Sequence, residues 1–113
     1  MSKPKRDLRS EVAAYSLWTY LAKGHLAANA TIASLPGMYV TDLRRLEVVV
    51  GELDFGPELV SQLQTEREWD EVWILAPLGA MGRAHAILRG QVDRLVPWWV
   101  VDHQVKFGSP EIP

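Results

Sequence analysis

Three acidic side chains near the middle of the chain, Asp42, Glu52 and Asp54, have the types and spacing suited to metal-dependent chemistry. Side chains alternate along an extended strand, so Glu52 and Asp54 are expected on one face, just after the apolar run 48–50. Asp42 is expected on the neighbouring strand of a hairpin, with its carboxylate close to that of Glu52. Clustered carboxylates repel each other unless a cation lies between them, and Mg2+ prefers oxygen ligands. The pattern predicts a divalent-metal site; the alternative is that Glu52 and Asp54 end a solvated strand.

The helices and strands that must position these acids follow from hydrophobic periodicity and turn residues. A turn is expected at Leu35-Pro36-Gly37 and a tight hairpin near Arg45. The predicted elements, in chain order, are a helix over 10–23 capped by Ser10, strands over 27–34, 38–46 and 47–53, a helix over 57–68, a strand over 69–77, a helix over 79–95 and a strand over 98–105.

The order αβββαβαβ predicts an α/β fold in which helices flank a mixed sheet. The first three strands are expected to form an antiparallel meander because short turns join them. The strands on either side of the second helix are expected to be parallel, since a helical crossover connects them.

Composition limits the class of protein. A chain of 113 residues with 48% apolar and 23% charged residues fits one compact domain, predicted here over 10–113 after a flexible basic arm over 1–9. No apolar run approaches the roughly 18 residues of a membrane-spanning helix, so no membrane partner and a cytoplasmic location are expected. The absence of cysteine excludes disulfides, a thiolate nucleophile and cysteine-ligated zinc.

The acids and the element order together resemble the core of the PD-(D/E)XK nuclease superfamily. Thr41-Asp42 matches the Pro-Asp element, Glu52-Leu53-Asp54 matches the Glu-x-Lys element, and Gln62 or Gln64 matches the glutamine of the following helix. Glu11 occupies the place of a further metal-associated acid in the first helix.

This resemblance implies a restriction-endonuclease-like core that hydrolyses phosphodiesters with Mg2+. The implied metal ligands are Glu11, Asp42 and Glu52, and the implied catalytic residues are Asp42, Glu52, Asp54 and Gln62. Asp54 stands where most members carry lysine, so the alternative is a non-catalytic protein-binding module on an inactivated nuclease fold. Basic residues expected to contact nucleic-acid phosphates are Lys3, Lys5, Arg6, Arg44 and Arg45, for which ordinary surface solvation is the alternative.

Five tryptophans are many for a chain of this length. Trp18, Trp73 and one of Trp98 and Trp99 are expected in the core. The outward one of that pair, or Trp69, is a candidate anchor for a protein partner or a homodimer, because tryptophan is enriched at binding hot spots.

Overall fold

A computed structural model describes residues 7–65 and 68–113 of the protein. The helices and strands, in chain order, are α1 (Leu8–Ala22), β1 (Ala27–Ile32), β2 (Leu35–Val40), β3 (Arg45–Val49), α2 (Pro57–Leu63), β4 (Glu71–Pro77), α3 (Met81–Leu88), β5 (Arg94–Val101) and β6 (Gln104–Phe107). Short 3-10 turns cover Thr41–Leu43, Glu52–Asp54 and Leu78–Ala80.

The six strands form one mixed sheet, in the order β1-β2-β3-β4-β5-β6. Strands β1, β2 and β3 are antiparallel neighbours, β3, β4 and β5 are parallel, and β6 returns antiparallel to β5. The predicted α/β class, the antiparallel meander and the parallel pair around the second helix are confirmed.

Helices cover both faces of the sheet. Helices α2 and α3 pack with Leu46, Val48 and Val50 on one face, and α1 packs with Val49 and Leu75 on the other. The three valines at 48–50 have no exposed surface. A strand buried on both faces has a continuous apolar run, which is why this segment was recognisable in the sequence.

The first helix begins earlier than predicted. Asp7 caps α1 by accepting a 3.0 Å hydrogen bond from the Arg9 N–H, and the Ser10 hydroxyl donates to the same carboxylate. Ser10 is therefore not the cap, and residues 7–9 belong to the helical start instead of the predicted arm, because a capping carboxylate satisfies the free N–H groups of the first turn. The rest of that arm lies outside the described residues.

Several turns differ from those predicted. The β1–β2 turn is Ala33-Ser34, both with positive φ, whereas Leu35-Pro36-Gly37 lies within β2. Gly37 fits there because any Cβ would collide with the Glu47 carbonyl on the neighbouring strand. A second such turn, Asp102-His103, separates β5 from β6, which the sequence merged into one strand.

The third helix ends at Leu88 instead of residue 95, because Gly90, at φ 74°, leads the chain out of the helix and toward β5. Trp98 is buried, but Trp18 is 62% exposed, so its predicted place in the core is wrong. Within residues 7–65 and 68–113, no helix is both long and apolar enough to cross a bilayer.

Candidate functional site

The predicted acidic cluster is divided between the two ends of β3. Asp42 lies in the turn before this five-residue strand, and Glu52 and Asp54 lie in the turn after it. At about 3.3 Å per strand residue, these turns are roughly 15 Å apart. The expectation that Asp42 lies close to Glu52 is wrong, because Asp42 is at the closed end of the β2–β3 hairpin. Strand alternation also does not apply to Glu52 and Asp54, because both belong to a 3-10 turn.

Asp42 instead joins the hairpin to the loop after α1. Its carboxylate lies 2.8 Å from His25 Nδ1 and accepts a 3.2 Å hydrogen bond from the Leu26 N–H. The hydrogen bond with His25 lowers the pKa of Asp42. Both carboxylate oxygens are therefore engaged in contacts within the fold.

Asp54 is also engaged, at the opposite end of β3. Arg9 Nη1 donates to both carboxylate oxygens at 3.1 Å, and the Gly51 N–H donates to Oδ2 at 2.6 Å. These hydrogen bonds raise the pKa of Arg9 and tie the turn after β3 to the first turn of α1. Asp54 thus forms an ion pair with Arg9 within the fold.

The remaining predicted residues are spread over different surfaces: Glu52 lines one groove with Asp54, Gln62 lines another pocket with Asp54, and Glu11 lies apart from both. Glu52 is exposed beside Gly79, Glu11 lines a shallow pocket with Tyr15 and Trp18, and Gln62 is exposed on α2. Over the described ranges, no three acidic or histidine side chains are grouped so that they could hold a metal ion. The roles proposed for Glu11, Glu52 and Gln62 stay predictions.

The predicted phosphate-binding arginines have different surroundings. Arg45 lies 3.7 Å from the centre of the Trp73 ring, pairs with Glu71 at 2.9 Å and donates to the Tyr20 hydroxyl at 2.8 Å. Its side chain is only 15% exposed. Arg44 is exposed and pairs with Asp70. Lys3, Lys5 and Arg6 lie outside the described residues.

A groove of about 890 Å3 lies where β3 and β4 end, beside β5 and the start of α1. Ligands of open α/β sheets bind outside the carboxyl ends of the parallel strands, which is the edge where this groove lies. We call it the strand-end groove; its apolar lining is Leu8, Leu53, Leu78, Trp98, Trp99 and Val100.

The apolar lining is unusually accessible. The side chains of Leu53, Leu78, Val100 and Leu8 are 98%, 54%, 41% and 39% exposed. Isolated exposed apolar residues are ordinary, but several around one concave surface are typical of an interaction site. Trp98 adds a polar feature, because its buried Nε1 has no hydrogen-bond partner among the described residues.

The polar side of the groove is acidic. Asp7, Glu52 and Asp54 line it together with a single arginine, Arg9. Arg9 is already paired with both aspartates. The Glu52 carboxylate has no ion-pair partner in the described part of the chain, whereas its main-chain oxygen accepts a 3.0 Å hydrogen bond from Arg83. Glu52 is therefore available to a cation.

The sequence predicted two of the three acids of this groove, Glu52 and Asp54, but not Asp7 or the apolar residues. Leu53 was included in the predicted strand over 47–53, and no role was given to Leu53, Leu8 or Leu78. Leu53 lies between two acids and shortly before Phe55-Gly56-Pro57, and this pattern is a sequence signal of an exposed turn. The predicted strand over 47–53 did not take that signal into account.

The arrangement is an α/β domain with helices on both faces and an apolar, acidic groove at its strand ends. Comparison of the chain with protein-family models, with curated proteins and with solved structures finds no match.

Proposed function

We propose that this chain is a non-catalytic binding module whose strand-end groove takes a segment of a protein partner. The observation that carries the proposal is the group of exposed apolar residues around the strand-end groove, Leu8, Leu53, Leu78 and Val100. Exposing these side chains costs free energy in the isolated chain, and a partner that covers them recovers it.

The lining defines the chemistry of the partner segment. Leu53 and Leu78, which line the groove and are exposed, favour an apolar side chain of the partner. The unpaired Glu52 favours a lysine or arginine next to the apolar residue, because a charge-assisted hydrogen bond would satisfy its carboxylate. The expected ligand is a short peptide in which an apolar residue adjoins a basic one.

The fold itself is compatible with an inactivated nuclease. The order from α1 to β4 is αβββαβ, the order on which the resemblance to the PD-(D/E)XK superfamily depends. The separation of Asp42 from Glu52 and the Arg9–Asp54 ion pair favour binding over hydrolysis, because they leave no shared position for an ion near Asp42.

A displayed peptide library selected on the immobilised protein tests this proposal. The selected peptides should pair an apolar residue with a lysine or arginine. The affinity of these peptides for the protein should fall about tenfold in each of two variants. Leu53→Ser removes a buried apolar contact, and Glu52→Gln removes a charged hydrogen bond. Leu26→Ser is the matched control, since Leu26 is 66% exposed but lies outside the groove.

Equal affinity for the wild type and Leu53→Ser would place peptide binding elsewhere. The competing function is tested separately by incubating DNA and RNA with the protein in Mg2+ or Mn2+. Cleavage that disappears in Glu52→Ala, with the fold intact, would replace the binding proposal with the nuclease.

A further inference from the structure

A second cavity, of about 430 Å3, lies between the C-terminal half of α1 and the sheet. It is built around Glu47, a β3 residue that is only 3% exposed. We call it the Glu47 cavity; its lining includes Ser16, Tyr20, Lys23, Glu47, Trp73 and Phe107. None of these residues lines the strand-end groove.

One oxygen of Glu47 accepts a hydrogen bond from α1, and the other has no donor. The Ser16 hydroxyl donates to Oε1 at 3.4 Å, and the Tyr20 side chain lines the same cavity. Tyr20 in turn accepts a 2.8 Å hydrogen bond from Arg45. Glu47 Oε2 is buried and has no partner among the described residues.

A buried carboxylate oxygen without a donor is costly, and native proteins rarely leave one. Trp73, on β4, is the register partner of Glu47. Its buried Nε1 also has no hydrogen-bond partner in the described part of the chain. One atom needs a donor and the other needs an acceptor. The unfilled acceptor, Glu47 Oε2, belongs to a residue that lines the cavity, and it indicates a ligand that carries a hydrogen-bond donor.

The rest of the cavity indicates the form of that ligand. Leu75, Val96 and Phe107 supply apolar contacts. At the C-terminal end of α1, Lys23 is exposed, and its ammonium has no ion pair within the described ranges. Ser16 and Lys23 are seven residues apart, which corresponds to about 10 Å along the helix axis.

We infer that the Glu47 cavity binds a small zwitterion, whose ammonium donates to Glu47 Oε2 and whose carboxylate lies near Lys23, with an apolar chain between them. A charge-assisted hydrogen bond from an ammonium to a carboxylate oxygen is roughly twice as strong as a hydrogen bond between neutral groups. Burial raises the pKa of Glu47, and a bound cation would offset that effect. The inference does not depend on the strand-end groove.

Calorimetric titration with three straight-chain probes, 6-aminohexanoate, hexylamine and hexanoate, tests this assignment. The wild type should bind 6-aminohexanoate more tightly than hexylamine, and hexanoate most weakly. Glu47→Gln should weaken both amine probes about tenfold or more, the effect of losing a charge-assisted hydrogen bond. Lys23→Met should weaken 6-aminohexanoate and leave hexylamine unchanged, whereas the control Lys106→Met should change neither.

Circular dichroism would show whether Glu47→Gln folds. If it does not, the comparison of the three probes on the wild type still tests whether the Glu47 cavity binds a zwitterion. Failure of both amine probes to bind the folded wild type would overturn the site. Equal binding of hexanoate and hexylamine would overturn the role of Glu47, and equal binding of the two amines would overturn the role of Lys23.

Discussion

Arg9 and Asp54 join the first turn of α1 to the turn that follows β3, through two hydrogen bonds of 3.1 Å. Arg9 also donates to Asp7, the residue that caps the helix. One guanidinium therefore fixes the helix start against the strand-end groove. The orientation of the groove depends on this contact.

Replacing Arg9 with methionine should lower the free energy of unfolding by roughly 0.5–1.5 kcal/mol, a modest value because the Arg9 side chain is 36% exposed. Urea denaturation measures the loss, and Asp54→Asn in a double-mutant cycle gives the coupling between the two groups. Arg89→Met is the matched control, since Arg89 is exposed and directly follows the last residue of α3, Leu88. Purely additive effects of the two changes would contradict the assigned contact.

The Asp42 carboxylate should make the free energy of unfolding depend on pH in the acid range. Its hydrogen bond with His25 lowers its pKa below the ordinary value of 3.8, so the folded protein binds this proton more weakly than the unfolded chain. The resulting stabilisation is present above that ordinary value and is lost as the pH falls through the folded pKa.

Asp42→Asn should therefore destabilise the protein at neutral pH and approach the wild type in strong acid. Chemical denaturation across this range measures the difference. Asp102→Asn is the control, because the Asp102 side chain is exposed and forms no hydrogen bond among the described residues. If the wild type is more stable than Asp42→Asn by the same amount at every pH, the charge of the Asp42 carboxylate is not the source of the stabilisation.

The Glu47 carboxylate should give the opposite pH dependence of stability. Burial raises its pKa above the ordinary 4.5, so the folded state binds the proton more tightly, and stability should fall as the pH rises from 4.5 through the folded value. The titratable and charged groups that line the same cavity are Tyr20, Lys23, His25 and Arg45.

Glu47→Gln keeps the shape of the side chain and removes this titration. The variant should gain stability relative to the wild type as the pH rises, by about 1.4 kcal/mol for each unit by which the pKa is raised. Unfolding measured from about pH 4 to pH 8 tests the slope. A stability difference that does not change over this range would mean that Glu47 keeps an ordinary pKa.

The sequence predicted those parts of the fold that depend on local pattern and burial. The apolar run 48–50 indicated a central strand, and the helix that follows it indicated a parallel neighbour. The turn over Glu52–Asp54 was not predictable from alternation, because the Asp54 carboxylate accepts the Gly51 N–H and bends the chain there. The second turn, Asp102-His103, has positive φ without a glycine to mark it.

The candidate sites were harder to predict because they depend on contacts between distant segments. Glu52 and Asp54 of the strand-end groove were found by residue type, but the pairing of Asp54 with Arg9 joins residues 45 positions apart. Glu47 was passed over because a single acid before an apolar run resembles an ordinary strand start. Its importance comes from Ser16 and Tyr20, which only the fold brings to it.

Helix α1 also shows why periodicity misplaced Trp18. The helix carries apolar residues on two sides: Val12 and Ala13 face the sheet, whereas Tyr15 and Trp18 lie outward. Trp18→Ala should therefore cost less than about 1 kcal/mol, while Trp98→Ala, at a side chain only 7% exposed, should cost about 3–5 kcal/mol. Thermal and urea unfolding of both variants measure the contrast. A loss of the same size at Trp18 as at Trp98 would mean that the outer face of α1 is covered in solution, which a concentration-dependent Trp18 fluorescence would show directly.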